Sequence, residues 1–125
     1  MPLTQWTSRR PRGARFTTTN GSAQTAVELN IATNQSCNIV ANIIATDATT
    51  GLTGTTAGYQ LIATFENANG TVTQVGSTTS DHSAEDIANP MTVAFAISGT
   101  KVQLNVTGDP GRTIRWSIWY DINWV

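Results

Sequence analysis

A second cysteine is missing from this 125-residue chain, and with it any intramolecular disulfide, because Cys37 stands alone. Histidine is as scarce, His82 being the only one, so a Cys/His metal site lacks ligands and a Ser/His or Cys/His catalytic pair has almost nothing to draw on. Charged residues make up 12% of the chain, and no apolar run reaches the length a bilayer requires. The Arg-rich start is not followed by the apolar stretch of a secretory signal, so the expectation is a soluble protein made in a reducing cytosol. There is no G-x-S-x-G, no phosphate-cradling glycine loop and no H-E-x-x-H. These gaps point away from an enzyme and towards a fold held by packing alone.

What is present is threonine, at 22 positions, within a chain that is 39% hydrophobic. Threonine is β-branched and suits a pleated, half-wet surface, which favours strands with uncharged polar outer faces. The length allows one domain with a real core. The net charge of -1 conceals an asymmetry. Residues 1–15 carry Arg9, Arg10, Arg12 and Arg15 and no acid, giving +4; the remainder sets Lys101, Arg112 and Arg115 against eight acids, giving -5. Residues 1–13, with two prolines, Trp6 and no periodicity, read as an extended arm that docks on something negative. Residues 14–125 read as one β-sandwich domain.

Nearly every later segment alternates with period two, placing successive side chains on opposite faces of a sheet. Strands are expected at Arg15 to Thr19, Thr25 to Ile31, Cys37 to Thr46, Tyr59 to Glu66, Thr71 to Ser77, Met91 to Ile97, Val102 to Val106 and Ile114 to Trp124. Cys37 to Thr46 is apolar on both faces and belongs in the middle of a sheet. Asn69-Gly70 marks a hairpin, since both residues tolerate the positive φ of a tight turn. The stretches 47–58 and 78–89 read as polar loops, with a short helical turn conceivable at Ser83 to Ala88. About eight strands with closely spaced turns predict an all-β fold, an antiparallel β-sandwich of jelly-roll-like order with an extended N-terminal arm.

Among candidate sites, Asp81, His82, Glu85 and Asp86 cluster within six residues, but without the ligand and glycine spacing of a calcium loop, and a solvated loop is favoured. The sequons at Asn20, Asn34, Asn69 and Asn105 are expected by chance in so Asn- and Thr-rich a chain. In the last strand Ile114, Trp116, Ile118, Tyr120, Ile122 and Trp124 form the inner row. Trp119 and Val125 lie on the other face, where a large aromatic marks a subunit interface or a stacking site for a sugar ring. The interface is favoured.

The series Ala57-Gly58-Tyr59, Ala63-Thr64-Phe65, Gly70 to Gly76 (GTVTQVG), Glu85-Asp86, Val102 to Gly108 (VQLNVTG) and Thr113 to Trp116 resembles a β-sandwich module recurrent in tailed-bacteriophage virion proteins, found in tail-fibre tips and small capsid-associated proteins. The likeness covers roughly residues 16–125. It implies a virion setting and a homotrimer, and carries over no catalytic residue and no cofactor. Only the Arg-rich arm, with no shaft or coiled coil, precedes the module, which favours a capsid decoration (cement) protein on the capsid surface. Such a protein would dock on the major capsid protein through Trp6, Arg9, Arg10, Arg12 and Arg15. The alternative is a tail-associated module that binds host surface glycans through the loops 47–58 and 78–89. The acidic body argues against nucleic acid as a partner, and no membrane partner is expected.

Overall fold

The computed structural model describes residues 12–48, 56–85 and 91–125. Among them run eight strands: β1 (Arg12–Thr18), β2 (Ala23–Asn30), β3 (Ser36–Asp47), β4 (Thr56–Ala68), β5 (Thr71–Glu85), β6 (Thr92–Ser98), β7 (Lys101–Thr107) and β8 (Ile114–Trp124). They form two antiparallel sheets, one in the order β1-β8-β3-β4-β5 and one in the order β2-β7-β6. The chain is therefore an all-β antiparallel sandwich, as the alternation predicts.

Alternation also decides what is buried. Ile39, Ala41 and Ile43 of β3, Leu61 and Phe65 of β4, and Ile114, Trp116 and Ile118 of β8 face inward against Val102, Leu104 and Val106 of β7. Each large aliphatic side chain buried this way contributes about 1.5–3 kcal/mol. Tyr120 and Trp124, the far members of the β8 row, are half-buried and pack against the same core. Burying Trp116 requires a partner for its indole N–H, and Thr18 supplies it: Trp116 Nε1 donates to Thr18 Oγ1 at 3.0 Å. Gly108 closes over that pair, and a Cβ there would run into Thr18 Oγ1.

Folding one long hairpin into a double sheet pairs first with last, and β1 with β8, β2 with β7 and β4 with β5 obey that nesting. The jelly-roll order breaks at β3 and β6, which do not pair with each other: β3-β4-β5 run as a meander and β6-β7 as a hairpin. Asn69 and Gly70, both at positive φ (56° and 95°), make the β4-β5 turn. As expected, β3 is central, flanked by β8 and β4.

Several boundaries differ from the sequence reading. β1 begins at Arg12 because β8 offers partners down to Tyr120, so Arg12 and Gly13 are strand residues. Thr78 to Glu85 is not a loop: β5 continues to Glu85 along β4, with Ser80 opposite Leu61, His82 opposite Gln60 and Glu85 opposite Ala57. The segment lacks an apolar row because β5 is an edge strand. Its period is also broken. Val75 to Thr79 spans what Thr64 to Ile62 spans with two residues fewer, and Ser80 to His82 faces the single step Leu61 to Gln60. Ser83, Ala84 and Glu85 are accordingly strand rather than a helical turn; residues 86–88 lie outside the described residues. β3 reaches Asp47 and β4 resumes at Thr56, which shortens the expected loop at both ends. In β6 the inward row weakens along the strand, from buried Met91 to exposed Ile97 beside the turn at Ser98 to Thr100.

Candidate functional site

The outer face of the five-stranded sheet is built from the other half of each alternation. Strand register lays its side chains in lines across the sheet. One line is Gly13, Trp119, Asn42 and Gln60; the next is Arg15, Ser117, Ile44 and Gly58; the third is Thr17, Arg115, Thr46 and Thr56. Trp119 is 56% exposed and Ile44 54%. Gly13 lies beside the indole, where a Cβ would meet Trp119 Cε2 at an ordinary contact distance of 4.0 Å. Gln60 Nε2 donates to Asn42 Oδ1 at 2.9 Å, tying the two amides into one platform next to the ring.

Two adjoining depressions follow these lines. The larger, about 710 Å³, is bordered by Arg15, Thr17, Ile44, Thr56, Arg115 and Ser117. The other, about 520 Å³, is bordered by Asn42, Ile44, Gly58, Gln60, Ser117 and Trp119. Ile44 and Ser117 belong to both, so the two form one trough. Volumes of this size suit small-ligand binding. The face offers an apolar floor, a flat aromatic, neutral amides and hydroxyls, and two guanidinium groups, which are means of binding.

Four acidic groups elsewhere, Glu28, Asp47, Glu85 and Asp109, are engaged. Asp47 and Asp109, both buried, hold Arg112 at 3.0 Å and 3.1 Å and so pin the β7-β8 connection to the end of β3. Glu28 accepts from Gln103 Nε2 (2.9 Å) and Lys101 Nζ (3.2 Å), and these bonds, Gln103 first, lower its pKa. Tyr59 donates its hydroxyl to the Glu85 carboxylate and lies 3.3 Å from the Met91 carbonyl. Burial, then the Glu85 carboxylate, pushes the Tyr59 hydroxyl well above its usual pKa. This pair borders a smaller depression of about 400 Å³ between β5 and β6. Burial likewise raises the Cys37 thiol, against a smaller opposing pull from the Phe65 backbone. Among the described residues no group of three or more His, Cys, Asp and Glu is placed to hold a metal ion.

Of the residues singled out from sequence, Trp6, Arg9, Arg10 and Asp86 lie outside the described residues. Arg12 is the first residue of β1. Arg15 is exposed on the outer face of β1, opposite Ser117, and thus borders the trough rather than an arm. Val125 is 92% exposed just past β8, its backbone paired with Ser36. It shares Trp119's face but stands six residues along, about 20 Å away at strand rise, so the two do not form one compact patch. Arg115, Asn42, Ile44 and Gln60 were missed. Their signal was the outward half of strands already identified, but which outward residues become neighbours depends on register, and a sequence does not state that.

No family model matches the chain, and no curated protein matches it. Among solved structures it is similar to the tailspike protein of Acinetobacter baumannii phage AM24, with a TM-score of 0.56 and 13% identity over 98% of this chain and 27% of that one. The likeness is one of fold, and the chain spans about a quarter of that tailspike's length. Weaker likenesses are to the tailspike of Acinetobacter baumannii bacteriophage Fri1, a capsular polysaccharide depolymerase (TM-score 0.45, 15% identity, 92% of this chain and 18% of that one), and to the tailspike of Acinetobacter phage vB_ApiP_P1 (0.38, 15%, 89% and 22%).

Proposed function

We propose that this chain is a bacteriophage virion protein, a tail-associated module that binds glycan on the host surface without cleaving it. The observation that carries this reading is the half-exposed indole of Trp119, set beside Gly13 and the Asn42–Gln60 amide pair on an open sheet face. An aromatic plane stacks the apolar face of a sugar while amides serve its hydroxyls, the combination of apolar surface and few polar groups that binding sites use. The fold it shares with a stretch of the AM24 tailspike backs a tail setting better than the capsid decoration role. The glycan site also moves, from the two loops to the sheet face, since most of 78–89 is strand. A homotrimer, implied by the family resemblance, would present three such faces and gain avidity from them.

Binding of the purified chain to bacterial surface polysaccharide, read by surface plasmon resonance, tests the proposal. Trp119→Ala should weaken binding at least about tenfold, the loss of roughly 1.4 kcal/mol, with the folded state's circular dichroism unchanged. Wild-type chain that binds no surface polysaccharide, or an alanine variant that binds equally well, would sink it.

A further inference from the structure

We infer that the glycan this trough takes is carboxylated, its carboxylate held by Arg15 and Arg115 while Trp119 stacks a ring of the same chain. The inference rests on the glycan-binding reading above and adds the ligand's charge. Four cationic side chains are described. Lys101 is bound to Glu28, and Arg112 to Asp47 and Asp109. Arg15 and Arg115 form no ion pair among the described residues, and they are the two charged residues bordering the larger depression.

Their placement is specific. Arg15 stands opposite Ser117 on the paired strand, and Arg115 is two residues along β8, opposite Thr17. The two guanidinium groups are therefore diagonal neighbours with backbones about 7–8 Å apart, within reach of one anion. Like charges so placed repel one another, and a carboxylate between them relieves the repulsion while accepting paired N–H bonds from planar donors. Among the described residues, two cations without a carboxylate partner thus stand side by side on one face.

The remaining contacts suit a sugar chain. Ile44 and the arginine stems provide an apolar floor. From Arg115 to Trp119 is four residues of strand, about 13 Å, room for more than one ring along the trough. The bond from Gln60 to Asn42 leaves Asn42 Nδ2 as a donor and Gln60 Oε1 as an acceptor for hydroxyls. A second copy meeting this face through its own copy of it is a poorer occupant, because that contact sets the Arg15 and Arg115 pairs of both copies into one patch, where like charges repel.

The test is calorimetric titration of the full chain with oligosaccharides of polygalacturonate, alginate and hyaluronan, and with their carboxyl-reduced counterparts. At least one carboxylated series should bind, more weakly as salt is raised, and its reduced counterpart should bind about tenfold less tightly or worse. Arg15→Met and Arg115→Met should each cost a similar factor, and Lys101→Met, on the other sheet, should cost nothing. Reduced oligosaccharides that bind as tightly as carboxylated ones would overturn the charge assignment and leave the glycan-binding reading standing. Failure of every oligosaccharide, with bacterial surface polysaccharide still bound in a Trp119-dependent way, would also overturn the charge assignment alone. Loss of all glycan binding would overturn both. A Trp119→Ala chain that drops from oligomer to monomer in light scattering would hand the face to a second copy and overturn the inference.

Discussion

Asn67 is 2% exposed and uses every polar group it has. Its side-chain amide donates to the Ile31 carbonyl at 2.8 Å and accepts from Gly70 N–H at 2.8 Å; its backbone pairs with Gln35 and Asn34. Asn67→Ala strands the buried Ile31 carbonyl and removes the acceptor of the exposed Gly70 N–H, and should cost about 1–3 kcal/mol of stability in urea denaturation, the cost of one unmet buried group. A loss below about 1 kcal/mol would show that water replaces the side chain. Tyr59 makes a prediction about pH. Its hydroxyl keeps its proton in the folded state beyond the ordinary value of 10.0, so the unfolded chain releases that proton first. Stability is whole below that value and declines as pH rises past it. Urea midpoints measured from about pH 9 to pH 11 should fall more steeply for wild type than for Tyr59→Phe; parallel declines would refute the assignment. Neither residue was legible in the sequence. Tyr59 showed only as the start of an expected strand and Asn67 gave no signal, because their distant partners, Glu85 and Ile31, lie 26 and 36 residues away.

At the scale of elements, legibility tracked burial. β3 and β8 lie between two neighbours, and their inner rows could be read directly, because each inward position needs an apolar side chain and period two repeats without interruption. β5 has a partner on one side only and carries three surplus residues against β4, so its second half shows no period. That half should also be the softer part of the sheet. Backbone amides from Gly76 to Glu85 should exchange with deuterium faster than those of β3, because an edge strand with broken register opens without disturbing the core. Uniform protection across the five-stranded sheet would contradict this.

For the whole molecule, the order of apolar and polar residues sufficed for the fold class, since alternation throughout leaves a sandwich as the way to hide one face of every strand. The site was only half legible. Trp119 stood out as an aromatic on the wrong face, but the strands that surround it come from residues 13, 42 and 60, and only folding brings them into one line. The charge asymmetry belongs to this scale too. Arg15 joins the sheet, leaving Arg9 and Arg10 ahead of β1. If those residues attach the protein to the particle, deleting residues 1–11 should leave glycan binding within about twofold and sharply reduce incorporation into virions. Deletion variants that assemble normally would leave the arm without that role.

The surplus residues of β5 have one more consequence. A sheet edge with regular spacing offers a row of free N–H and C=O groups onto which another chain can add, and crowding raises that hazard. Gly76, at φ 74°, and the two slips of register along β5 break the spacing. A strand that could otherwise seed fibres at high local concentration presents instead an edge that no straight strand can match.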